Sequence, residues 1–486
     1  MEVLQRTANR GSVSTGPYEI DHSLQMEDAN DQNLVKNYSG DGDRRTWTYS
    51  TWVKKMRFGS ASGTGQSGYD YMYLLSAAYT SILFLNNDLL RVSLYNGSST
   101  VYADPAQRFR DGSAWYHIVV TLDSTDSTAA DRVKIYINGV RVTEFDNSTY
   151  ANMSQNEEFG LGEAASNYQF GYYFAGGGNN RGFSGYVADT HYVNGTALDC
   201  NSFGEFDADS GIWIPKAYTG SHGAKGFYFK FDDSSNLGKD SSSGGIGDFS
   251  VSSNLAAINQ ATDTPTNNFC TINPLWTDAT TLVSLTEGGT RGPNVNANFG
   301  AIGTIAVDSG KWYWEGVTTS FSGTNYWKWG ITRADVQQGQ SASPSKDANS
   351  AWYTGDNAFY TQTSPSASSV AYNIGFSGYT AGDIWSISLN CDVSPYEMTI
   401  RINNSVPGTT ANNTNRSVGT YASAEPVYPF SMLANSASDN TWHNFGNPFI
   451  SNLSGGNSDA NGYGDFKYAP PSGYYALCTK NLAEYG

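Results

Sequence analysis

The feature that most constrains this chain is a set of short apolar and aromatic runs that repeat at every second residue. In Val133-Lys134-Ile135-Tyr136-Ile137, the residues Val133, Ile135 and Ile137 fall on one face of an extended strand. Asn138-Gly139 follows, and then Val140-Arg141-Val142. Asn-Gly between two such runs predicts a type I′ hairpin, because both central residues need positive φ. The stretches 46–53 and 115–122 are further aromatic and β-branched runs without a helical period. In the second half, 310–317, 327–331, 384–389 and 398–402 repeat the pattern, and the last runs into the turn Asn403-Asn404. Residues 226–231 make one more strand, and Gly176 to Asn180 reads as a loop. No helix longer than about three turns is expected. The fold class is all-β.

Composition fits that reading. Gly is frequent at 52 residues, aromatics reach 14%, and charged residues only 15%; long surface helices would have raised Glu and Lys. A chain of 486 residues has room for more than one domain. Residues 1–18 read as a polar N-terminal arm, 19–195 as a first β domain and 196–275 as a partly structured connector. Residues 276–450 read as a second β domain and 451–486 as a C-terminal segment.

The formal charge of −17, with no basic cluster larger than Lys54-Lys55 or Arg44-Arg45, argues against nucleic acid and anionic membranes as partners. Cys200, Cys270, Cys391 and Cys478 fit no zinc spacing and read as free thiols. No apolar run is long enough to span a bilayer, and the N-terminus lacks a signal-peptide core. Synthesis in a cytoplasm is expected.

Several stretches carry resemblances. Residues 45–54, 114–120, 132–140 and 183–189 resemble the laminin-G-like, concanavalin-type lectin/glucanase domain. Residues 310–315, 382–385, 428–430 and 444–449 are similar to a SPRY domain, itself a concanavalin-like sandwich. Residues 198–205, 213–220, 263–269 and 476–482 look like large proteins of marine tailed phages. Together the resemblances imply two concanavalin-like jelly-roll β-sandwiches in tandem with an extended N-terminal arm. They imply a virion structural protein, either a tail fibre or receptor-binding protein or a capsid decoration. Such a protein contacts other virion chains and host-surface glycans and forms homo-oligomers, trimers in phage fibres. A polysaccharide-degrading tail spike and a bacterial surface adhesin are the alternatives.

Catalysis finds little support. Glycosidases need two carboxylates flanking the scissile bond. The nearest match to the glucanase pattern, Glu205-Phe206-Asp207-Ala208-Asp209, ends in Asp and lies in the connector, where it reads as an acidic turn before Gly211. His117 and His191 sit in strand runs and read as packed or hydrogen-bonded. The expectation is a protein that is not an enzyme and has no cofactor. The laminin-G resemblance allows one Ca²⁺ on loop carbonyls and a carboxylate. Asp88, Asp104 and Asp111 are its candidates, each also readable as a turn residue.

Glycan recognition stacks sugar rings on aromatics and orients hydroxyls with amides and carboxylates. Two clusters offer these types: Tyr168 with Tyr172 and Tyr173, and Trp352 with Tyr353, Asp356, Asn357 and Tyr360. The competing reading for both packs the rings under their own loops. Trp312, Trp314 and Trp385 read as core.

Overall fold

In the computed structural model, the described residues are 18–28, 31–59, 71–164, 166–173, 182–275, 285–292, 299–320, 328–333, 350–354, 358–361, 370–373, 379–408, 414–419, 423, 425–434 and 440–486. The chain divides into two units after Thr266.

The first unit begins with β1 (Ser23–Met26), β2 (Leu34–Asn37), β3 (Thr46–Lys55), β4 (Met72–Ala77), β5 (Thr80–Phe84) and β6 (Leu90–Tyr95). It continues with β7 (Thr100–Pro105), β8 (Tyr116–Asp123), β9 (Val133–Ile137), β10 (Val140–Arg141), β11 (Phe145–Asn147) and β12 (Asn167–Phe170). Then come β13 (Gly185–Asn194), β14 (Gly204–Phe206), β15 (Trp213–Pro215), β16 (Phe227–Phe229), β17 (Ser250–Val251) and β18 (Gln260–Ala261). One sheet has the order β10-β9-β8-β3-β13-β1-β18, with β16 also on β13, and the other has β11-β7-β6-β5-β4-β12-β2-β17. The expected hairpin is present. Asn138 and Gly139 hold φ of 47° and 79° between β9 and β10. A Cβ on Gly139 would collide with the Trp213 ring, so this turn needs glycine twice over.

Alternate residues of both sheets meet in a single core, including Trp47, Tyr49, Leu74, Phe84, Val120 and Ile135. Burying each large apolar side chain contributes about 1.5–3 kcal/mol. The segment 196–275, read as a connector, is built into this unit up to its boundary. Its Phe227, Phe229, Phe231 and Phe249 are all buried in the same core. Phe227, Phe229 and Phe231 keep the period-two pattern, but the flanking stretches, rich in Ser, Gly, Asn and Asp, hide that Phe249 and the rest of the segment belong to the same sandwich. Of the N-terminal arm, residues 1–17 lie outside the described residues, while the Tyr18 hydroxyl donates to Asp189 at 2.8 Å.

The second unit holds β19 (Phe299–Ile302), β20 (Lys311–Ser320), β21 (Lys328–Arg333), β22 (Ser350–Thr354), β23 (Ala358–Thr361) and β24 (Val370–Asn373). After these come β25 (Ile384–Asn390), β26 (Glu397–Ile402), β27 (Arg416–Ser417), β28 (Val427–Ala434), β29 (Asn440–Asn444), β30 (Tyr475–Ala476) and the helix α1 (Thr479–Tyr485). One sheet runs β19-β28-β21-β22-β23-β24; the other runs β27-β26-β25-β20-β29, with β30 parallel on β20. Trp312, Trp314 and Trp385 are core residues, and Trp385 stacks on Trp329 at 5.1 Å between centroids. The C-terminal segment closes the other face of β20. There Glu315, fully buried, accepts from the Tyr313 hydroxyl at 2.7 Å and from the backbone N–H of Lys467 at 2.8 Å and Tyr468 at 3.0 Å. No cation neutralises Glu315 among those partners, and burial pushes its carboxyl up to about 7.

Candidate functional site

Two faces of the first sandwich point away from its core. The face of β3, β8 and β13 is buried beneath Phe203, Trp213 and Cys200. A fixed polar network sits there. The Trp213 indole N–H donates to Nδ1 of His117 at 2.9 Å, and Nε2 of His117 lies 2.9 Å from the Ser50 hydroxyl. Because an indole can only donate, Nδ1 is the bare nitrogen and Nε2 carries the proton. His117 therefore donates to Ser50 and cannot act as its base. Burial pushes this imidazole down to about 3. A β-bulge between Ala188 and His191 places Asp189 at φ 46°. There the Tyr228 hydroxyl donates to it at 2.7 Å, and Nε2 of His191 lies at 3.4 Å. His191 in turn meets His222 at 3.0 Å. Burial alone would raise the Asp189 carboxyl, but His191 and the two tyrosines outweigh it and hold it below the ordinary range. Apart from half-buried Tyr18, these rings are buried, so the network locks the covering segment in place.

The other face belongs to β4 through β7 and β12. Inward residues such as Met72, Ile82, Val92 and Ala103 alternate with outward ones. The outward residues form two cross-strand rows. Tyr73, Leu83 and Arg91 are register partners in the first. Gln169, Ser76, Ser81, Ser93 and Tyr102 are partners in the second. Arg91 clasps Asp104 through Nε at 2.9 Å and Nη2 at 2.6 Å, and its guanidinium lies 4.4 Å from the Tyr102 ring centroid. At the opposite edge Tyr73 stacks on Tyr173, with centroids 4.9 Å apart and planes 15° apart. Tyr71, Arg91, Tyr102, Gln169 and Tyr173 keep solvent exposure, while the serines are recessed between them. The half-exposed rings Tyr102 and Tyr173, with Gln169 and Arg91 beside them, can take a sugar ring on a tyrosine and meet its hydroxyls with amide and guanidinium groups, over a buried floor of Ser76, Ser81 and Ser93.

The residues singled out from sequence are dispersed. Tyr173 belongs to this face. Tyr172 is half-buried beside Asp31, and burial raises its hydroxyl first, with Asp31 second. Tyr168 is a correction: it is fully buried and stacks on Tyr38 at 4.6 Å, so no ligand reaches it. Tyr353 is a second correction, facing the core with its hydroxyl on the Met398 carbonyl at 3.3 Å. Trp352 is buried against Tyr360, which is half-exposed, with centroids 5.4 Å apart, and Lys328 lies 5.6 Å from the indole centroid. Asp356 and Asn357, and the loop 176–180, lie outside the described residues.

The calcium candidates do not fit a cation. Asp88 takes Lys55 at 2.5 Å and Arg110 at 2.6 Å, and Asp104 is chelated by Arg91. Asp111 caps a turn, accepting from the Ser113 N–H at 2.8 Å. Among the described residues no group of His, Cys, Asp and Glu is placed to hold a metal. Glu205 pairs with Lys216 at 3.4 Å, and Asp207 caps the turn at Ser210 at 2.7 Å, an acidic turn with no facing carboxylate pair. Lys54 and Lys55 are buried and ion-paired, so they make no basic footprint. No helix among the described residues is long and apolar enough to cross a membrane.

The family model described as the concanavalin A-like lectin/glucanases superfamily matches residues 28–199, which contain every strand of this face. Solved structures similar to the chain include a heptameric SAP-like pentraxin from Limulus polyphemus, at 18% identity over 37% of this chain and 79% of that one, with a TM-score of 0.27. Domains LG4-5 of the mouse laminin alpha1 chain match at 10% identity over 87% of this chain and 86% of that one, with a TM-score of 0.28. The SPRY domain of human HERC1 matches at 16% identity over 33% of this chain and 90% of that one, with a TM-score of 0.24. No curated protein matches the chain. The fold class is all-β, with the concanavalin-like match falling on residues 28–199.

Proposed function

We propose that this chain is a non-catalytic binding protein of a phage virion, a tail-fibre or decoration component whose first sandwich holds host-surface glycans. One observation carries the binding half of this reading: the outward face on which the half-exposed rings Tyr102 and Tyr173, the latter stacked on buried Tyr73, stand beside Gln169 and Arg91. The family model over residues 28–199 supports a lectin-type role for the same strands. The phage half rests on the resemblance of the segments around 198–220, 263–269 and 476–482. The non-catalytic half is supported by the locked His117 tautomer and by the acidic stretch at 205–209, where Glu205 pairs with Lys216 and Asp207 caps its own turn. Partner virion chains and homo-oligomerisation belong to the same proposal.

The test is affinity electrophoresis of the full chain through gels containing neutral polysaccharides. A Tyr102→Ala/Tyr173→Ala variant should lose most of the retardation, with an unchanged far-UV spectrum. Retardation that survives the double substitution, or release of reducing sugar by the wild-type chain, would overturn the reading. Antibody labelling of purified virions tests the location, and unlabelled particles would refute it.

A further inference from the structure

The turn joining β4 to β5 consists of Ala78 and Tyr79, with φ of 45° and 62°. A two-residue turn of this hand normally takes Asn-Gly, and a bulky side chain there is strained. The backbone is also pressed from outside, since a Cβ on Gly160 would stand 2.4 Å from the Ala78 carbonyl oxygen. Gly160 donates to Tyr95 O at 3.1 Å and to Thr80 Oγ1 at 3.0 Å, which pins the tip in place. The strained residue is not used for packing. Tyr79 is 67% exposed, the highest value among the exposed large hydrophobic residues, and its ring meets Tyr95 only edge-on, at 5.3 Å and 69°. Strain of this kind persists where the surrounding structure imposes it and is concentrated at functional positions.

Tyr95 lies two residues beyond Ser93 on β6, on the same outward face as Arg91 and Ser93. Its hydroxyl donates to the Gly97 carbonyl at 2.7 Å, beside a turn where Asn96 is bonded to Ser99 and Glu157. Tyr79 therefore continues the face past its serine row. From Arg91 to Tyr95 the face runs about 13 Å along the strand, longer than one sugar ring. A single exposed ring among amides and hydroxyls is too small for a protein interface, which takes roughly 800 Å² per partner. With a net charge of −17 and Glu157 beside the tip, polyanionic sugars are disfavoured.

We infer that Tyr79 is a further stacking position at the far end of this face, beyond Tyr102 and Tyr173, so that the face takes an extended neutral oligosaccharide rather than a single sugar. The inference rests on the glycan-binding reading of the face. The test is binding of the full chain to an array of neutral homo-oligosaccharides in disaccharide and hexasaccharide lengths. Tyr79→Gly should weaken hexasaccharide binding about five- to tenfold, as expected for one lost stacking contact, and leave disaccharide binding unchanged. Tyr79→Phe should keep both, and Tyr79→Gly should not lower the melting temperature. If Tyr79→Gly leaves the hexasaccharide unaffected while Tyr102→Ala/Tyr173→Ala abolishes binding, this inference falls and the face reading stands. If the wild-type chain binds neither length, both fall.

Discussion

Lys54 and Asp263 lie 209 residues apart in sequence and form an ion pair of 2.7 Å with neither side chain exposed. The Trp115 indole N–H completes the site at 3.0 Å from the other carboxylate oxygen. The pair joins β3, in the middle of its sheet, to the last turn of the first unit. Removing one partner leaves a buried charge, which costs about 3–5 kcal/mol. Asp263→Asn should therefore lower the denaturation midpoint of the first unit sharply. Lys54→Met/Asp263→Leu should recover much of that loss. Equal destabilisation by the single and double variants in urea titrations would show that the pair is not coupled.

Glu315 gives the second unit a pH dependence of defined sign. Its carboxyl is raised to about 7 in the folded chain. Between the ordinary carboxylate value and 7 the folded chain holds a proton that the unfolded chain has released, so stability falls as pH rises through that window. The loss by pH 8 is of the order of 3 kcal/mol. Burial also pushes His443 of the same unit down to about 3, which acts with the opposite sign below about pH 6.5, so between pH 5 and pH 8 the wild-type chain should lose melting temperature relative to Glu315→Gln rather than in absolute terms. A wild-type chain no less stable at pH 8 than at pH 5, relative to that variant, would contradict this.

The first unit should respond in the opposite direction. Burial pushes His117 down to about 3, and burial followed by His191 pushes His222 to about 4. Unfolded histidines bind protons below about 6.5, so stability is lost as pH falls from there toward 4. Hydrogen exchange at residues 46–55 and 185–194 should accelerate between pH 6.5 and 4.5, after correction for intrinsic rates. Trp213→Phe leaves the His117 lone pair buried without its donor and should cost about 1–3 kcal/mol.

Asp88 is held by Lys55 and Arg110, and burial brings the Lys55 ammonium down to about 8 despite that carboxylate. Asp88→Ala should destabilise the first unit strongly, because Lys55 stays buried. Millimolar Ca²⁺ or EDTA should leave the melting temperature of the wild-type chain unchanged. A chelator-dependent shift would expose an ion site built from other groups.

Much of the architecture was legible because strands write their period into the chain. The alternation at 133–137 and the Asn138-Gly139 turn give β9, β10 and the hairpin directly. The site was less legible. Tyr168 and Tyr173 look alike in sequence, yet one reaches the core and the other an outer face: Tyr168 shares the inward side of β12 with Phe170, while Tyr173, an odd number of residues further on and past the strand's end, stacks on outward Tyr73. Arg91, Ser93 and Tyr102 did carry a signal, as the polar positions alternating with Leu90, Val92, Leu94 and Ala103. Register then decides which of them share a row, and register depends on distant strands. The network of Asp189 needed a bulge that no local pattern announces.

The parallel pairing of Trp312 and Tyr313 with Tyr475 and Ala476 has a temporal consequence. On a ribosome the first unit has all its strands once residue 266 emerges, and it can condense while translation continues. The second cannot close until its last strand and helix are made: β29 covers that flank of β20 only from Glu315 onward, so Trp312 and Tyr313 wait through more than a hundred and fifty residues of synthesis for their partners there. Nascent chains stalled near residue 460 should accordingly resist protease in their first half and be digested in their second.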